Sequence, residues 1–248
     1  MITKFNESKK DYFILFSLFV TVFILPLFIF KIPIQLDDFW AFNEVNIIKL
    51  NITEFTEFKR SPIGGIVLYY LYKLSNLIVK SLTTNYIFII FFLCHFFTSA
   101  YLYNVIKKII SLSNIKSEIN MPLWGAAIFL LQQPAIECYG TIAYGARVLG
   151  GLCVVLFILN QINQLNEVKI SRTLYSMLLS ILAFSFYEVN IFFLGIAFIL
   201  PTIIGIKKIA TNKSKIAIFF LQWKQYYISL ITSPPISFII VEEKLRDF

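Results

Sequence analysis

Long apolar runs separated by short polar connections dominate the sequence. The runs cover residues 12–30, 63–79, 86–106, 122–131, 142–159, 174–206 and 216–240. A helix that spans a membrane needs roughly 20 predominantly apolar residues, and several of the runs approach or exceed that length. The pattern therefore predicts an all-α fold, namely a polytopic α-helical membrane protein.

The first run and the loop after it set the expected orientation. Lys4, Lys9 and Lys10 precede residues 12–30, and basic residues tend to stay on the cytoplasmic side. The run is longer than a signal-peptide core, and no small-residue cleavage site follows it. We therefore expect a retained span with the N-terminus inside. The loop 31–62 contains five acidic against four basic residues, and we expect it outside.

Later basic connections constrain the number of crossings. If every run crossed the membrane, the lysines in residues 107–116 and 207–215 would lie outside, against the positive-inside tendency. The run 63–79 is short and contains Lys73, so we expect it to lie along the outer interface or to re-enter without crossing. This leaves about six crossings plus one interfacial or re-entrant helix.

Composition narrows the class of protein further. Hydrophobic residues make up 58% of the 248 residues and charged residues 15%, whereas soluble domains carry about 45–50% and about 25%. These proportions exclude a soluble single-core enzyme and an intrinsically disordered chain. We assign the net charge of +8 largely to membrane topology. The expected partner is the lipid bilayer, and no nucleic-acid partner is expected.

Two adjacent acids just after the first run are the sharpest chemical signal. Asp37 and Asp38 follow Leu36. Adjacent carboxylates repel each other, so at least one needs a cation, a metal or a shared proton. A carboxylate at this place could act as general base toward a sugar hydroxyl. The alternative is that both acids mark the outer end of a helix and face water.

Basic residues close the same loop. Lys59 and Arg60 precede Pro62 and two glycines, and cations beside the free N–H groups of a helix start could hold a phosphate. The alternative is a pair of interfacial anchors that extend to lipid headgroups. Further on, Glu137 and Arg147 flank a broken apolar stretch. They could form an ion pair or both contact a substrate.

Glu188 interrupts the long run 174–206. An acid inside an apolar run is costly, which favours a role in a site or in a buried pair. Tyr187 and Asn190 beside it could help to hold a sugar. Non-helical backbone at membrane depth is tolerated only inside protein or beside a wet cavity. We therefore expect a polar, outward-facing cavity near these short and broken segments.

Common nucleotide-binding and catalytic motifs are missing from the sequence. It contains no Walker loop, Rossmann fingerprint, HExxH or GxSxG pattern. His95 lies beside Cys94 without a second ligand nearby, so no metal site is predicted there. No cofactor is expected, and a requirement for a divalent metal stays open. Any catalysis would have to use a donor already carried in the membrane.

Four stretches in order, within about residues 10–205, resemble one family. It is the multi-span bacterial glucosyltransferase family that modifies O-antigen, the serotype-converting type within the GT-C-like class. Leu36-Asp37-Asp38 resembles the Leu-Asp-Asp stretch that ends the family's first span. Arg60-Ser61-Pro62-Ile63 is similar to the Arg-Pro-Leu stretch that opens the next helix.

The later two stretches continue the resemblance. Glu137 with Tyr144 and Arg147 resembles a Pro-x-x-x-Glu-x-x-x-Tyr-Arg-like stretch of the family. The turn at Tyr187-Glu188-Val189-Asn190 resembles a Leu-Tyr-Gln-x-x-x-Asn-like turn, with Glu in place of Gln.

The resemblance implies transfer of a sugar, expected to be glucose, from a polyprenyl-phosphate donor. The acceptor would be a surface glycan such as O-antigen on the outer side of the cytoplasmic (inner) membrane. Asp37 or Asp38 would deprotonate or orient the acceptor hydroxyl. Lys59, Arg60 or Arg147 would neutralise the departing phosphate.

The remaining matched residues would position the sugars. They are Glu137, Tyr144, Tyr187, Glu188 and Asn190. The donor and the glycan acceptor are therefore the expected ligands, at a site that faces outward.

Two units are expected along the chain. Residues 1–215 would form a transmembrane glycosyltransferase-like domain, and residues 216–248 an amphipathic or apolar C-terminal segment. Members of the family are considerably longer, so this segment could also be the remainder of a truncated protein. Two other functions stay open from the sequence: a lipid-linked sugar flippase or small-solute transporter, and a truncated, inactive family member.

Overall fold

The computed structural model describes residues 2–26, 70, 83–113, 119–132, 145–164 and 169–186. Within these ranges the chain is all-α, as predicted, with five α-helices and no strand. The helices are α1 (Ile2–Phe19), α2 (Thr83–Ser113), α3 (Met121–Leu131), α4 (Gly145–Gln164) and α5 (Ile170–Phe186). The predicted loop 31–62, the run 63–79, the interruption at Tyr187-Glu188 and the segment 216–248 lie outside the described residues.

Two of the described helices are long and apolar enough to cross a membrane by length and composition. They contain the segments Ile89–Ser113 of α2 and Arg147–Gln164 of α4. Both helices extend past the apolar runs that predicted them, through Lys107 and Lys108 in α2 and through Asn160 in α4. The side chains of these residues bond to neighbouring helices, Lys107 to α1, Lys108 to α4 and Asn160 to α5.

The helix α4 lies between α2 and α5. On one side Val155 and Ile162 join a cluster with Val105 of α2. On another side Phe157 packs in a cluster with Leu179 of α5. Both faces of α4 are therefore occupied by protein, which explains why polar residues near its C-terminal end are buried as well.

The helices α1 and α3 pack against α2 and against each other. An apolar cluster joins Phe19 and Phe23 with Phe91 and Phe92 of α2 and Leu130 of α3, all at most 1% exposed. The ring centroids of Phe23 and Phe92 are 5.4 Å apart. Dispersion contacts of this kind also hold helices together where no water is present.

The first helix changes its winding after Phe19. Val20–Ile24 form a π-helical turn, and the N–H of Leu25 donates to the carbonyl of Val20. Pro26 follows and has no N–H to donate to the carbonyl of Val22, four residues earlier. The wider turn carries Phe23 into the apolar cluster.

Among the described helices, each runs opposite to the one before it, so several helix ends meet at one end of the bundle. Ser8 near the start of α1 accepts a hydrogen bond from Lys107 near the end of α2. Lys108 donates to the side chain of Asn163 near the end of α4. The backbone carbonyl of Asn163 in turn accepts from Arg172 near the start of α5, at 3.1 Å.

We call this the lysine end of the bundle. It is defined by the basic residues Lys9, Lys10, Lys107, Lys108, Lys169 and Arg172. The helix α3 begins near this end, because Asn120 before its first turn contacts Asp11 of α1. Leu131 at the end of α3 and Gly145 at the start of α4 lie away from it.

A glycine allows α3 to approach α2 closely. A Cβ atom built on Gly125 would lie 2.6 Å from Cδ1 of Ile106. The end of the Ile106 side chain can move to accommodate a methyl group at position 125. A larger side chain at position 125 would need more space than this movement provides. Small residues at helix contacts are typical of membrane helix pairs.

We expect Gly125→Leu to destabilise the protein by about 1–3 kcal/mol, because overpacking forces α2 and α3 apart. Thermal unfolding in detergent should show an apparent Tm about 2–4 °C lower for each kcal/mol lost. Gly151→Leu is the matched control, since a Cβ at Gly151 meets no atom within 4 Å. Equal losses in the two variants would contradict a tight contact at Gly125.

Candidate functional site

Of the residues predicted from sequence to form the site, Arg147 lies within the described part of the chain. The others fall outside it: Asp37, Asp38, Lys59, Arg60, Glu137, Tyr144, Tyr187, Glu188 and Asn190. Their predicted convergence on one cavity therefore stays a prediction. The structure does define where Arg147 sits and what surrounds that end of the bundle.

Arg147 lies in the first turn of α4, with its side chain exposed. Leu149, two residues later, packs against the apolar cluster of Phe91, Phe92 and Leu130. A cation is disfavoured by the positive end of its own helix dipole, whereas an anion is attracted to it. No acidic residue occupies this first turn. The start of α4 is therefore electropositive, as a phosphate-binding position requires.

The end of α3 lies near the start of α4, because Leu130 and Leu149 share one cluster. The 11 residues of α3 rise only about 16 Å at 1.5 Å per residue, roughly half of a bilayer core of about 30 Å. Its last carbonyl groups have no partner within the helix. A neighbouring helix must supply donors where water is scarce.

Two side chains of α2 donate to carbonyl groups of α3. His95 donates from Nε2 to the carbonyl oxygen of Leu130, at 3.1 Å, and Ser99 donates from Oγ to that of Ala126, at 2.8 Å. Both donors are buried. His95 also stacks on the ring of Phe129, with centroids 5.0 Å apart. The histidine therefore caps the C-terminal end of α3.

Asp11 is the centre of a polar network that sequence reasoning missed. It is 7% exposed and accepts a hydrogen bond of 2.7 Å from the hydroxyl of Tyr103. The Nδ2 of Asn120 lies 3.0 Å from each of its carboxylate oxygens. Asn120 also caps α3, because its Oδ1 accepts from the N–H of Leu123. One carboxylate thus joins α1, α2 and the start of α3.

A weak sequence signal for Asp11 exists. It is an acid between Lys10 and the first apolar run, at a place where the positive-inside tendency favours basic residues. An acid there is unremarkable while it faces water, and sequence alone does not show that Tyr103 and Asn120 reach it. Tyr103 and Asn120 follow Asp11 by 92 and 109 residues in the sequence, and the structure shows that they contact it.

We predict that Tyr103→Phe destabilises the protein by about 1.5–3 kcal/mol, since it removes a hydrogen bond to a charged acceptor. Tyr12→Phe is the matched control. The hydroxyl of Tyr12 donates to the neutral Oδ1 of Asn104, at 2.8 Å, and such a bond contributes about 0.5–1.5 kcal/mol. Denaturant titrations of both variants in detergent provide the measurement. A larger loss for Tyr12→Phe would argue against the Asp11 network.

A second polar network joins α4 to α5 near the lysine end. Asn160 donates to Oγ of Ser176 and to the carbonyl of Arg172, both at 2.7 Å. Gln164 donates to the same hydroxyl at 3.3 Å. Gln161 of α4 is fully buried, and its amide N and O have no hydrogen-bond partner among the described residues.

The amide of Gln161, which has no hydrogen-bond partner in the described part of the chain, has a testable cost. A buried polar group without a partner costs about 1–3 kcal/mol, so we expect Gln161→Leu to raise the free energy of unfolding by about that amount. Gln164→Leu should instead lower it, because Gln164 is bonded to Ser176. Unfolding measurements in one detergent compare the two. A loss of stability in Gln161→Leu would show that its amide has a partner.

Within the described residues, no group of three His, Cys, Asp or Glu side chains is placed to hold a metal ion. Cys94 and Cys153 are free thiols. Comparison of the chain with protein-family models, with curated proteins and with solved structures gave no match.

Proposed function

We propose that the protein is a membrane glycosyltransferase that moves a sugar, glucose being the first candidate, from a polyprenyl-phosphate donor to a surface glycan such as O-antigen. The proposal is carried by the resemblance of four ordered stretches to the O-antigen glucosyltransferases. One described feature supports it: Arg147, a residue of the third stretch, lies exposed at the electropositive start of α4.

The distribution of charge supports an outward-facing site. The lysine end gathers the start of α1, the end of α2, the end of α4 and the start of α5. In the cytoplasmic membrane such an end belongs inside. Arg147 at the other end of α4 then faces the outer side, where a lipid-linked donor and a glycan acceptor would meet.

The proposed reaction assigns a role to each group. Asp37 or Asp38 removes the proton of the acceptor hydroxyl as that oxygen bonds to the anomeric carbon of the sugar. The bond between that carbon and the phosphate oxygen breaks, and the polyprenyl phosphate leaves with the electron pair. Lys59, Arg60 and Arg147 stabilise its growing negative charge.

The other residues of the resemblance hold the sugars in place. Glu137, Tyr144, Tyr187, Glu188 and Asn190 offer the carboxylate, hydroxyl and amide groups that hydrogen-bond sugar hydroxyls. Such contacts align the anomeric carbon with the attacking oxygen, which is a large part of the catalytic effect in group transfer.

We expect membranes that contain the protein to attach label from a radiolabelled polyprenyl-phospho-glucose to glycan. The double substitution Asp37→Asn with Asp38→Asn should lower that rate at least about 100-fold, because the general base is lost. Arg147→Gln should lower it by a similar factor, and Arg147→Lys by less, because the charge is kept. Lys10→Gln, at the lysine end, is the control and should leave the rate unchanged.

Other outcomes of the same assay decide against the proposal. Label that crosses the membrane without attachment to glycan identifies a flippase or transporter. Full activity in the double aspartate variant removes Asp37 and Asp38 from the chemistry. Extraction of the protein by alkaline carbonate would overturn the membrane location itself, since a spanning protein stays with the lipid.

A further inference from the structure

Two cations of the lysine end donate hydrogen bonds to the same residue, Asn163. The ammonium group of Lys108 donates to Oδ1 of Asn163, and Nη1 of Arg172 donates to the backbone carbonyl of Asn163 at 3.1 Å. The two charges are close enough to interact electrostatically. Asn163 brings them together with neutral oxygen atoms, so its own contacts cancel neither charge. A phosphate group placed between the two cations would interact favourably with both.

The start of α5 adds to the same electropositive site. The helix has 17 residues and no acid in its first turn, and Lys169 immediately precedes it. Its first N–H groups point toward the lysine end, as at the anion-binding starts of other helices. The backbone of this turn is fixed, because the carbonyl of Arg172 accepts from Asn160.

Aromatic side chains continue from the cations along the same pair of helices. Tyr175 of α5 and Tyr101 of α2 lie close enough to interact electrostatically. Tyr101 packs on the cluster between α2 and α4, and the side chain of Tyr175 is 44% exposed. Tyrosine is enriched at the level of lipid headgroups, where its ring is apolar and its hydroxyl is wet.

We propose that Lys108 and Arg172, supported by Asn163 and the start of α5, bind the phosphate of an anionic phospholipid headgroup. The shared chemistry is a phosphate group held by two cations and helix N–H groups. A lipid is favoured over a free phosphate because the exposed Tyr175 lies one helical turn after Arg172. Basic pockets between helices at the cytoplasmic side are suited to such headgroups.

This site differs from the proposed donor site. It lies at the lysine end, whereas Arg147 lies at the other end of α4. The inference rests on the proposed membrane location but not on sugar transfer, so an inactive protein would still bind the lipid. Lys107 provides the matched comparison, because its ammonium group contacts Ser8 and lies over the ring of Tyr103, 5.5 Å from its centroid.

Native mass spectrometry of the full chain in detergent tests the proposal, with phosphatidylglycerol, phosphatidylcholine and soluble glycerol phosphate as separate probes. We expect phosphatidylglycerol to bind more tightly than phosphatidylcholine, and glycerol phosphate not to compete at equal concentration. Loss of either cation of the site, Lys108 or Arg172, should weaken binding about fivefold. Lys108→Gln and Arg172→Gln should each show that loss, and Lys108→Arg should retain binding.

The controls separate a built site from general attraction to positive charge. Lys107→Gln should leave the dissociation constant for phosphatidylglycerol unchanged, and an equal loss in Lys107→Gln and Lys108→Gln would overturn the proposal. Binding of glycerol phosphate as tight as that of the lipid would overturn the lipid assignment. Circular dichroism shows whether Arg172→Gln still folds, and Lys108→Gln, whose side chain is exposed, tests the site if it does not.

Discussion

The described bundle depends on the buried carboxylate of Asp11. Its two donors come from α2 and from the residue that caps α3, so one side chain fixes three helices relative to one another. A buried charge is tolerated only when donors surround it. Here the two donors are neutral, a hydroxyl and an amide.

The short helix α3 shows a second dependence. It lacks the length to cross a bilayer, and its backbone carbonyls are bonded by His95 and Ser99 of α2. His95 and Ser99 of α2 therefore bond a neighbouring helix, whereas Thr98 and Asn104 donate to carbonyl groups within α2 itself. In α4, Asn160 and Gln164 donate to Ser176 of α5. Part of the polar residues inside these apolar helices thus lies at contacts between helices.

The sequence predicts helices well where a long apolar run alone is enough to specify them. The runs at 86–106 and 142–159 predicted α2 and α4, although both helices continue past the apolar part. That continuation could not be predicted, because it depends on distant partners: Lys108 of α2 and Asn163 of α4 contact each other across 55 residues.

The site was harder to predict than the fold, for a related reason. A single residue type such as histidine has many uses: no metal partner for His95 is visible in the sequence, but sequence alone does not show that it caps α3. The charge of Arg147 marks it as a candidate in the sequence. The structure places it in the first turn of α4, at the positive end of the helix dipole. Asp11 was overlooked because an acid among lysines resembles an ordinary solvated residue.

The long separation between Asp11 and its donors has a consequence for biosynthesis. Asn120 is made 109 residues after Asp11, which takes roughly 5–20 s at typical rates of synthesis. For most of that interval the carboxylate has neither of its donors, because Tyr103 is made 92 residues after Asp11. The network that joins α1, α2 and the start of α3 is therefore complete only after Asn120 has been made.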